Sequence, residues 1–179
     1  MPAAYESELE RVLDQARDLL GAGDDALLVE ANIAVNHALQ LNPDSVEAWL
    51  LKCQIASALG DDQAALASVE MALRRAPHRA EGLYWRGAIL GDLGRHREAL
   101  RSIEAALRVV ADAEHWLLED LYYEKVTVLD ALGLHEAAVA ACEAGLDRCP
   151  GSPLLRAALA PAERARVKSS LRLLRGGAG

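Results

Sequence analysis

Residues 59–73, LGDDQAALASVEMAL, return at residues 93–107 as LGRHREALRSIEAAL, with the leucine, glycine and alanine positions kept. The shift is 34 residues, and a third version, LGLHEAAVAACEAGL, follows at residues 132–146 after a shift of 39. Self-similarity at a fixed period of this length is typical of helical repeat arrays, in which each unit packs only against its neighbours. The stretch therefore predicts an all-α solenoid.

Each copy has the pattern of two helices joined by a short turn. In residues 46–77 a first apolar face at helical spacing is followed by Gly60, at a position where helix ends favour glycine. Asp61 and Asp62 supply capping and first-turn acids for a second helix, which Pro77 ends. The first face is formed by Trp49, Cys53, Ala56 and Leu59, and the second by Ala65, Leu66, Val69, Ala72 and Leu73. So short a link predicts an antiparallel hairpin with Trp49 mainly in its core.

The unit resembles the tetratricopeptide repeat. That family places a large residue early in the first helix, a small one four positions later, Leu-Gly at its end, two alanines in the second helix and a closing proline. Matching residues are Trp49, Cys53, Leu59, Gly60, Ala65, Ala72 and Pro77, with Leu83 and Tyr122 in the large slot of the next units. The resemblance implies an all-α, right-handed superhelix of tandem antiparallel helix pairs, about four repeats long, with a C-terminal capping helix.

The expected boundaries follow from the same resemblance. The repeats are expected at approximately residues 5–43, 44–77, 78–111 and 112–150, with capping helices within 152–175. All of them would belong to one solenoid domain over residues 1–175, followed by a disordered tail at 176–179.

Several places depart from the repeat. Residues 21–25 predict a longer turn inside the first unit. Ala111 stands where the third unit should have its closing proline, and a five-residue insertion falls within residues 112–118. The helix is therefore expected to run longer there, or the stack to bend. The insertion contains Trp116, a contact candidate if exposed, and Pro161 predicts a break between two C-terminal helices.

The composition narrows the function. A net charge of −8 argues against nucleic acid, which requires a basic surface. Three cysteines without a CxxC pair predict reduced thiols, and Cys53 and Cys142 fall on apolar helix positions. The chain has neither a signal-peptide pattern nor an apolar run near the roughly 18 residues of a membrane span, so a cytoplasmic location is expected. Without a metal-binding histidine motif or a phosphate-binding glycine motif, no metal, cofactor or enzymatic activity is expected.

The resemblance also implies a binding site. In tetratricopeptide arrays the first helices of successive units line a concave groove, and contact positions lie one, four, eight and eleven residues after the unit start. On this chain they are Glu47, Leu50, Gln54 and Ser57, then Glu81, Tyr84, Ala88 and Gly91, then Asp120, Tyr123, Thr127 and Asp130. Four of these residues are acidic, and two are tyrosines of the kind that dominate binding energy.

These side chains predict a protein partner with a basic or amphipathic segment. They do not suit the acidic C-terminal peptides bound by chaperone cofactors of the family, which need lysine and asparagine at these positions. Two plainer interpretations remain open at this point. The acids could form a solvated helix face, and Tyr84 and Tyr123 could pack between adjacent units.

The charge distribution suggests an alternative function. Residues 151–179 carry six basic side chains against one acid, whereas residues 1–42 carry eight acids against two bases. The basic C-terminal helix could therefore dock in the acidic groove of its own or a neighbouring copy and make a self-assembling scaffold or homo-oligomer. A further alternative is a secretion-type chaperone, as some small acidic members of the family are.

Overall fold

The computed structural model describes residues 2–22, 24–110 and 116–176, with side chains for residues 6–22, 24–110 and 116–171. This part of the chain contains nine α-helices and no strand, which confirms the all-α fold. In chain order the helices are α1 (Pro2–Ala22), α2 (Asp25–Leu41), α3 (Val46–Ala58), α4 (Asp62–Arg75), α5 (Ala80–Asp92), α6 (His96–Val109), α7 (Leu118–Ala131), α8 (His135–Arg148) and α9 (Pro153–Gly176).

The turns inside three helix pairs have the same backbone geometry. Each contains a glycine in the left-handed region, namely Gly60 at φ 74°, Gly94 at φ 72° and Gly133 at φ 73°. In the first of them the amide of Asp61 donates to the carbonyl of Ala56 at 2.9 Å, which closes the end of α3. The Asp61 carboxylate then accepts the amide of Ala64 at 2.9 Å and begins α4, as the sequence predicts.

Small residues let the two helices of a pair cross closely. Ala65 and Ala72 on α4 are buried. A Cβ added at Gly87 on α5 would lie only 2.6 Å from Cγ1 of Ile103 on α6. A Cβ added at Gly145 on α8 would lie 2.8 Å from Cβ of Tyr122 on α7. A larger side chain at these points would push the helices apart.

The indole of Trp49 lies at the edge of the core rather than inside it. Its ring packs against the core only partly buried, and its Nε1 donates to the carbonyl of Pro43 at 2.8 Å. The Lys52 ammonium and the Arg75 guanidinium lie 5.5 and 5.7 Å from the ring centroid. The predicted core role therefore holds only in part, because two cations cover the outer faces of the ring.

The last helix, α9, packs along both α7 and α8. Leu155 and Ala162 are buried against them, and the Cys142 thiol donates to the carbonyl of Leu155 at 3.1 Å. Ser152 caps α9 by accepting the amide of Leu155 at 3.0 Å, and its hydroxyl donates to the Glu119 carboxylate at 2.5 Å. The helix thus occupies the place that the first helix of a further repeat would take.

The predicted break at Pro161 is wrong, because α9 continues through this residue. A proline removes one amide donor, which leaves the carbonyl of Ala157 without its helical partner. Both residues are exposed, so water can satisfy that carbonyl at little cost.

The predicted longer turn in the first unit is also wrong. Helix α1 continues to Ala22 and α2 begins at Asp25, so this link is no longer than the one between α3 and α4. The longer helix expected before Ala111 is likewise not found, because α6 ends at Val109, 34 residues after the end of α4. Residues 112–115 of the predicted insertion lie outside the described residues. Gly176, the first residue of the predicted tail, belongs to α9, and the rest of that tail, residues 177–179, also lies outside the described residues.

Candidate functional site

The first helices of the successive pairs lie side by side. Helix α1 contacts α3, α3 contacts α5, α5 contacts α7, and α7 contacts α9. We call the face that these helices share the groove. The predicted contact residues on it are Glu47, Leu50 and Gln54 on α3, Glu81, Tyr84 and Ala88 on α5, and Asp120, Tyr123, Thr127 and Asp130 on α7.

In the first half of the groove the chain provides partners for its own acids. The Glu47 carboxylate on α3 pairs with the guanidinium of Arg17 on α1. The Glu81 carboxylate on α5 accepts the Gln54 amide at 3.2 Å, and its other oxygen pairs with Arg79 at 3.2 Å. The Arg17–Glu47 and Gln54–Glu81 contacts link neighbouring repeats, and the two arginines neutralise charge that a partner would otherwise meet.

In the second half three carboxylates surround one tyrosine. Burial, and then the negative charges of Asp120, Glu124 and Asp92, raises the pKa of the Tyr84 hydroxyl to about 12. We call these three acids the acidic cluster. Burial raises the pKa of the Asp92 carboxyl, with a further contribution from Asp62, and raises that of Asp120, with a further contribution from Glu119.

The third member, Glu124, is repelled by the charges of the other two. Burial and then the charges of Asp92 and Asp120 raise the pKa of its carboxyl. No cation of the described part of the chain forms an ion pair with any of the three acids. The cluster is therefore a partly desolvated site of negative potential, and a positive charge placed there would relieve its internal repulsion.

Two members of the cluster were missed in the sequence. Asp92 and Glu124 do not occupy the expected contact positions, but each had a detectable signal. Glu124 follows Asp120 by four residues and so shares its helix face, and Asp92 directly follows Gly91, the last mapped position of its unit.

Tyr84 packs within the array, and its role as a partner contact stays a prediction. It is half-buried, and its ring packs edge-on against Trp85 with centroids 5.4 Å apart, so it does pack within the array. Its hydroxyl end lies among the three acids of the cluster. A phenol held in this way can donate a hydrogen bond while its ring supports an apolar contact.

A cleft of about 320 Å³ lies beside the cluster, between α7 and α9. Three predicted contact residues line it, Tyr123, Thr127 and Asp130, so the structure does bring these together. The opposite wall is apolar and comes from α9, through Leu154, Ala157, Ala158, Pro161 and Ala162. We call this space of about 320 Å³ the α7–α9 cleft. No feature of the repeat pattern indicated α9 as a wall of the groove.

Other predicted contact residues are already engaged or covered. Leu50 is only 3% exposed and packs in the core, so it offers no surface to a partner and its expected role needs correction. The Thr127 hydroxyl donates to the carbonyl of Tyr123 at 3.1 Å, and Asp130 lies 2.7 Å from Nδ1 of His135. Ala88 is half-buried.

Trp116 lies apart from these residues. It is 57% exposed and borders a cleft of about 300 Å³ with Glu119, Arg148 and Cys149. Within the described ranges, no group of three or more His, Cys, Asp or Glu side chains is placed to hold a metal ion. Nor is any helix of that part of the chain long and apolar enough to cross a membrane.

Comparisons with known proteins point to one fold. A family model for the tetratricopeptide repeat matches residues 80–109. No curated protein matches the sequence. PilW, a widely conserved type IV pilus biogenesis factor, has a similar structure with a TM-score of 0.74 at 22% identity, over 90% of this chain and 69% of PilW.

Two further solved structures agree. TTC0263, a thermophilic TPR protein of Thermus thermophilus, gives a TM-score of 0.72 at 21% identity, over 86% of this chain and 80% of that one. MamA of Desulfovibrio magneticus RS-1 gives 0.69 at 18% identity, over 96% and 98%. Helix pairs, glycine turns and these likenesses together show that the chain has the fold of tetratricopeptide-repeat arrays, with one repeat matched at residues 80–109.

Proposed function

We propose that the protein is a cytoplasmic adaptor that holds a basic or amphipathic segment of a partner protein in the groove, without turnover or cofactor. The observation that carries the proposal is the acidic cluster around Tyr84. Buried or half-buried carboxylates are normally paired, since an unpaired charge loses hydration without compensation. Here the half-buried carboxylates of Asp120 and Glu124, together with the exposed carboxylate of Asp92, share one place on the helix face where tetratricopeptide arrays receive their partners.

A lysine or arginine side chain from a partner would complete this place. It would pair with Asp120 and Glu124, which are four residues apart on α7 and face the same way. Its arrival would favour the ionised form of each carboxyl and so lower the raised pKa values of both. Binding should therefore release protons and weaken as the pH falls through those values.

The α7–α9 cleft would receive an apolar side chain of the same segment. Tyr123 in the cleft follows Asp120 in the cluster by three residues, which is about one helical turn. A helical partner with a basic and an apolar residue roughly three or four positions apart could thus reach both at once. This spacing is the sequence signature that we expect in the partner.

A peptide selection with the purified protein as bait tests the proposal. We expect the selected peptides to be enriched in lysine or arginine together with a large apolar residue at that spacing. Asp120→Asn with Glu124→Gln should abolish the enrichment. The matched control is Glu143→Gln with Asp147→Asn, which removes two charges at the same spacing from exposed positions of α8 and should leave it intact. Enrichment of acidic peptides, or equal effects of the two double variants, would refute the proposal.

A further inference from the structure

Two helix faces at opposite ends of the array leave pairs of large apolar side chains uncovered. On α2, Val29 and Ile33 are 54% and 65% exposed. On α9, Val167 and Leu171 are 53% and 49% exposed. Each pair is spaced by four residues and so lies on one face of its helix. Neither pair contributes to the groove.

The second of these faces projects from the body of the array. Helix α9 has 24 residues and α8 has 14, so at about 1.5 Å per residue α9 is about 15 Å longer. The Arg166 guanidinium lies 3.8 Å from Glu136, in the first turn of α8. The end of α9 that carries Leu171 therefore extends past the first turn of α8, and the neighbouring Ser169 and Ser170 border a cleft with Gly133 and Leu134 of the preceding turn.

The charges around the two faces are opposite. All eight acids of residues 1–42 are exposed: Glu6, Glu8, Glu10, Asp14, Asp18, Asp24, Asp25 and Glu30. One of the two bases in that region, Arg17, already pairs with Asp14 and Glu47. On α9, by contrast, Arg164 and Lys168 are exposed on either side of Val167.

We propose that the projecting end of α9 in one copy docks on the Val29–Ile33 face of α2 in a second copy, so that the protein associates head to tail. The four apolar side chains would cover one another, and the basic flank of α9 would meet the acidic first unit. The contact must join two molecules, because the intervening repeats hold α2 and α9 of one chain apart. Association of two α9 ends, or of two α2 faces, would instead bring like charges together.

Such a contact has two consequences. It joins different surfaces, so each copy keeps one free end and chains or rings can form. It is also small, so it should be weak and salt-dependent. The Val29–Ile33 face and the groove lie on different parts of the molecule, so this association does not depend on the proposed function.

Light scattering with size exclusion on the full chain tests the proposal. The wild-type mass should rise above the monomer mass of 19.2 kDa as the concentration increases from about 10 µM to about 1 mM, a range suited to a small interface. Ile33→Lys and Leu171→Glu, each placing a repelling charge in the contact, should both remain at the monomer mass. The control Val109→Lys changes an exposed apolar residue away from both ends and should behave as the wild type.

Mixing the two variants separates head-to-tail association from other kinds. The Ile33→Lys variant keeps its α9 end and the Leu171→Glu variant keeps its α2 face. The mixture should therefore contain dimers of one copy of each, joined by the unaltered α9 end and the unaltered α2 face. A wild type that stays monomeric over the whole range, a single variant that still associates, or a mixture without the dimer would overturn the proposal. The Asp120→Asn, Glu124→Gln variant should associate as the wild type does, which keeps this test apart from that of the groove.

Discussion

The two halves of the groove both present acidic side chains, but only one half leaves them without a cation. In the first half Glu47 pairs with Arg17, and Glu81 is held by Gln54 and Arg79. In the second half the acidic cluster surrounds the Tyr84 hydroxyl, with no ion pair from the described part of the chain. An acid at a groove position is thus available to a partner only where no nearby cation of the chain already pairs with it.

The largest expected effect is on the free energy of unfolding, and it tests how tightly the helices behind the second half of the groove are packed. A Cβ at Gly145 would lie 2.8 Å from both Cβ of Tyr122 and Cδ1 of Leu155, where α7, α8 and α9 meet. Gly145→Ala should therefore lower the free energy of unfolding by about 1–3 kcal/mol in urea titrations. At Gly91 the nearest atom is 3.7 Å away, so Gly91→Ala should be neutral or stabilise by up to about 1 kcal/mol. Equal effects would show that the crossing at Gly145 is not tight.

The next largest effect is on the affinity for a partner peptide, and it should differ between the two halves of the groove. With a basic amphipathic peptide as the probe, Asp120→Asn with Glu124→Gln should raise Kd about tenfold, since a factor of ten corresponds to about 1.4 kcal/mol. Glu47→Gln should raise it less than about twofold, because Arg17 already neutralises that carboxylate and exposed pairs contribute little. Fluorescence anisotropy measures both. A larger loss with Glu47→Gln would reverse the comparison.

The raised pKa of Glu124 makes a prediction about pH. A carboxyl whose pKa is higher in the folded state than in the unfolded state holds more protons when folded, so it contributes stability as the pH falls. At pH 7 its charge costs stability instead, first because the carboxyl is half-buried and then because Asp92 and Asp120 repel it. Glu124→Gln should therefore stabilise by at least about 0.2–0.5 kcal/mol, the usual size of one like-charge repulsion four residues apart.

Near pH 4 that advantage should disappear, because the wild-type carboxyl is then largely protonated. Urea unfolding of both proteins at the two pH values measures the change. A benefit of Glu124→Gln that grows as the pH falls would contradict the assigned repulsion.

The smallest expected effect comes from a substitution that makes the first half of the groove resemble the second. Arg17→Ala removes the cation from Glu47 and leaves that carboxylate free in the groove. Affinity for the basic peptide should rise by about twofold, in keeping with the modest energy of exposed ion pairs. Arg11→Ala is the control, since Arg11 is also an exposed arginine of α1. Tighter binding by both variants to the same degree would mean that only the net charge matters.

Local sequence signals predicted most of the fold. The recurring Leu-Gly and alanine positions located the helix pairs and the glycine turns, because these depend on residues a few positions apart. Pro161 was misjudged because the cost of a proline depends on whether the freed carbonyl is exposed to water. Trp49 was misjudged in part because its burial depends on Lys52 and Arg75, and Arg75 comes from the other helix of the pair.

The candidate site was harder to predict for a related reason. The groove positions came from the family resemblance, and whether they contact a partner remains a prediction. Their chemistry depends on contacts between repeats about 30 residues apart, such as Arg17 with Glu47 and Gln54 with Glu81. A repeat pattern describes each unit by itself, so it carries no information about which charges of adjacent units meet.

Pro161 has a consequence for how α9 loses structure. Helical order spreads from residue to residue through successive amide hydrogen bonds, and proline interrupts that series. The two parts of α9 are therefore less tightly coupled at Pro161, and unwinding that starts at the C-terminal end of the helix can stop there before it reaches the buried Leu155. A protease that cuts after Arg164 or Lys168 would remove the projecting end and spare most of the wall of the α7–α9 cleft. One continuous helix thus contains a boundary at Pro161, so the part of α9 after it can be lost while the part before it stays in place.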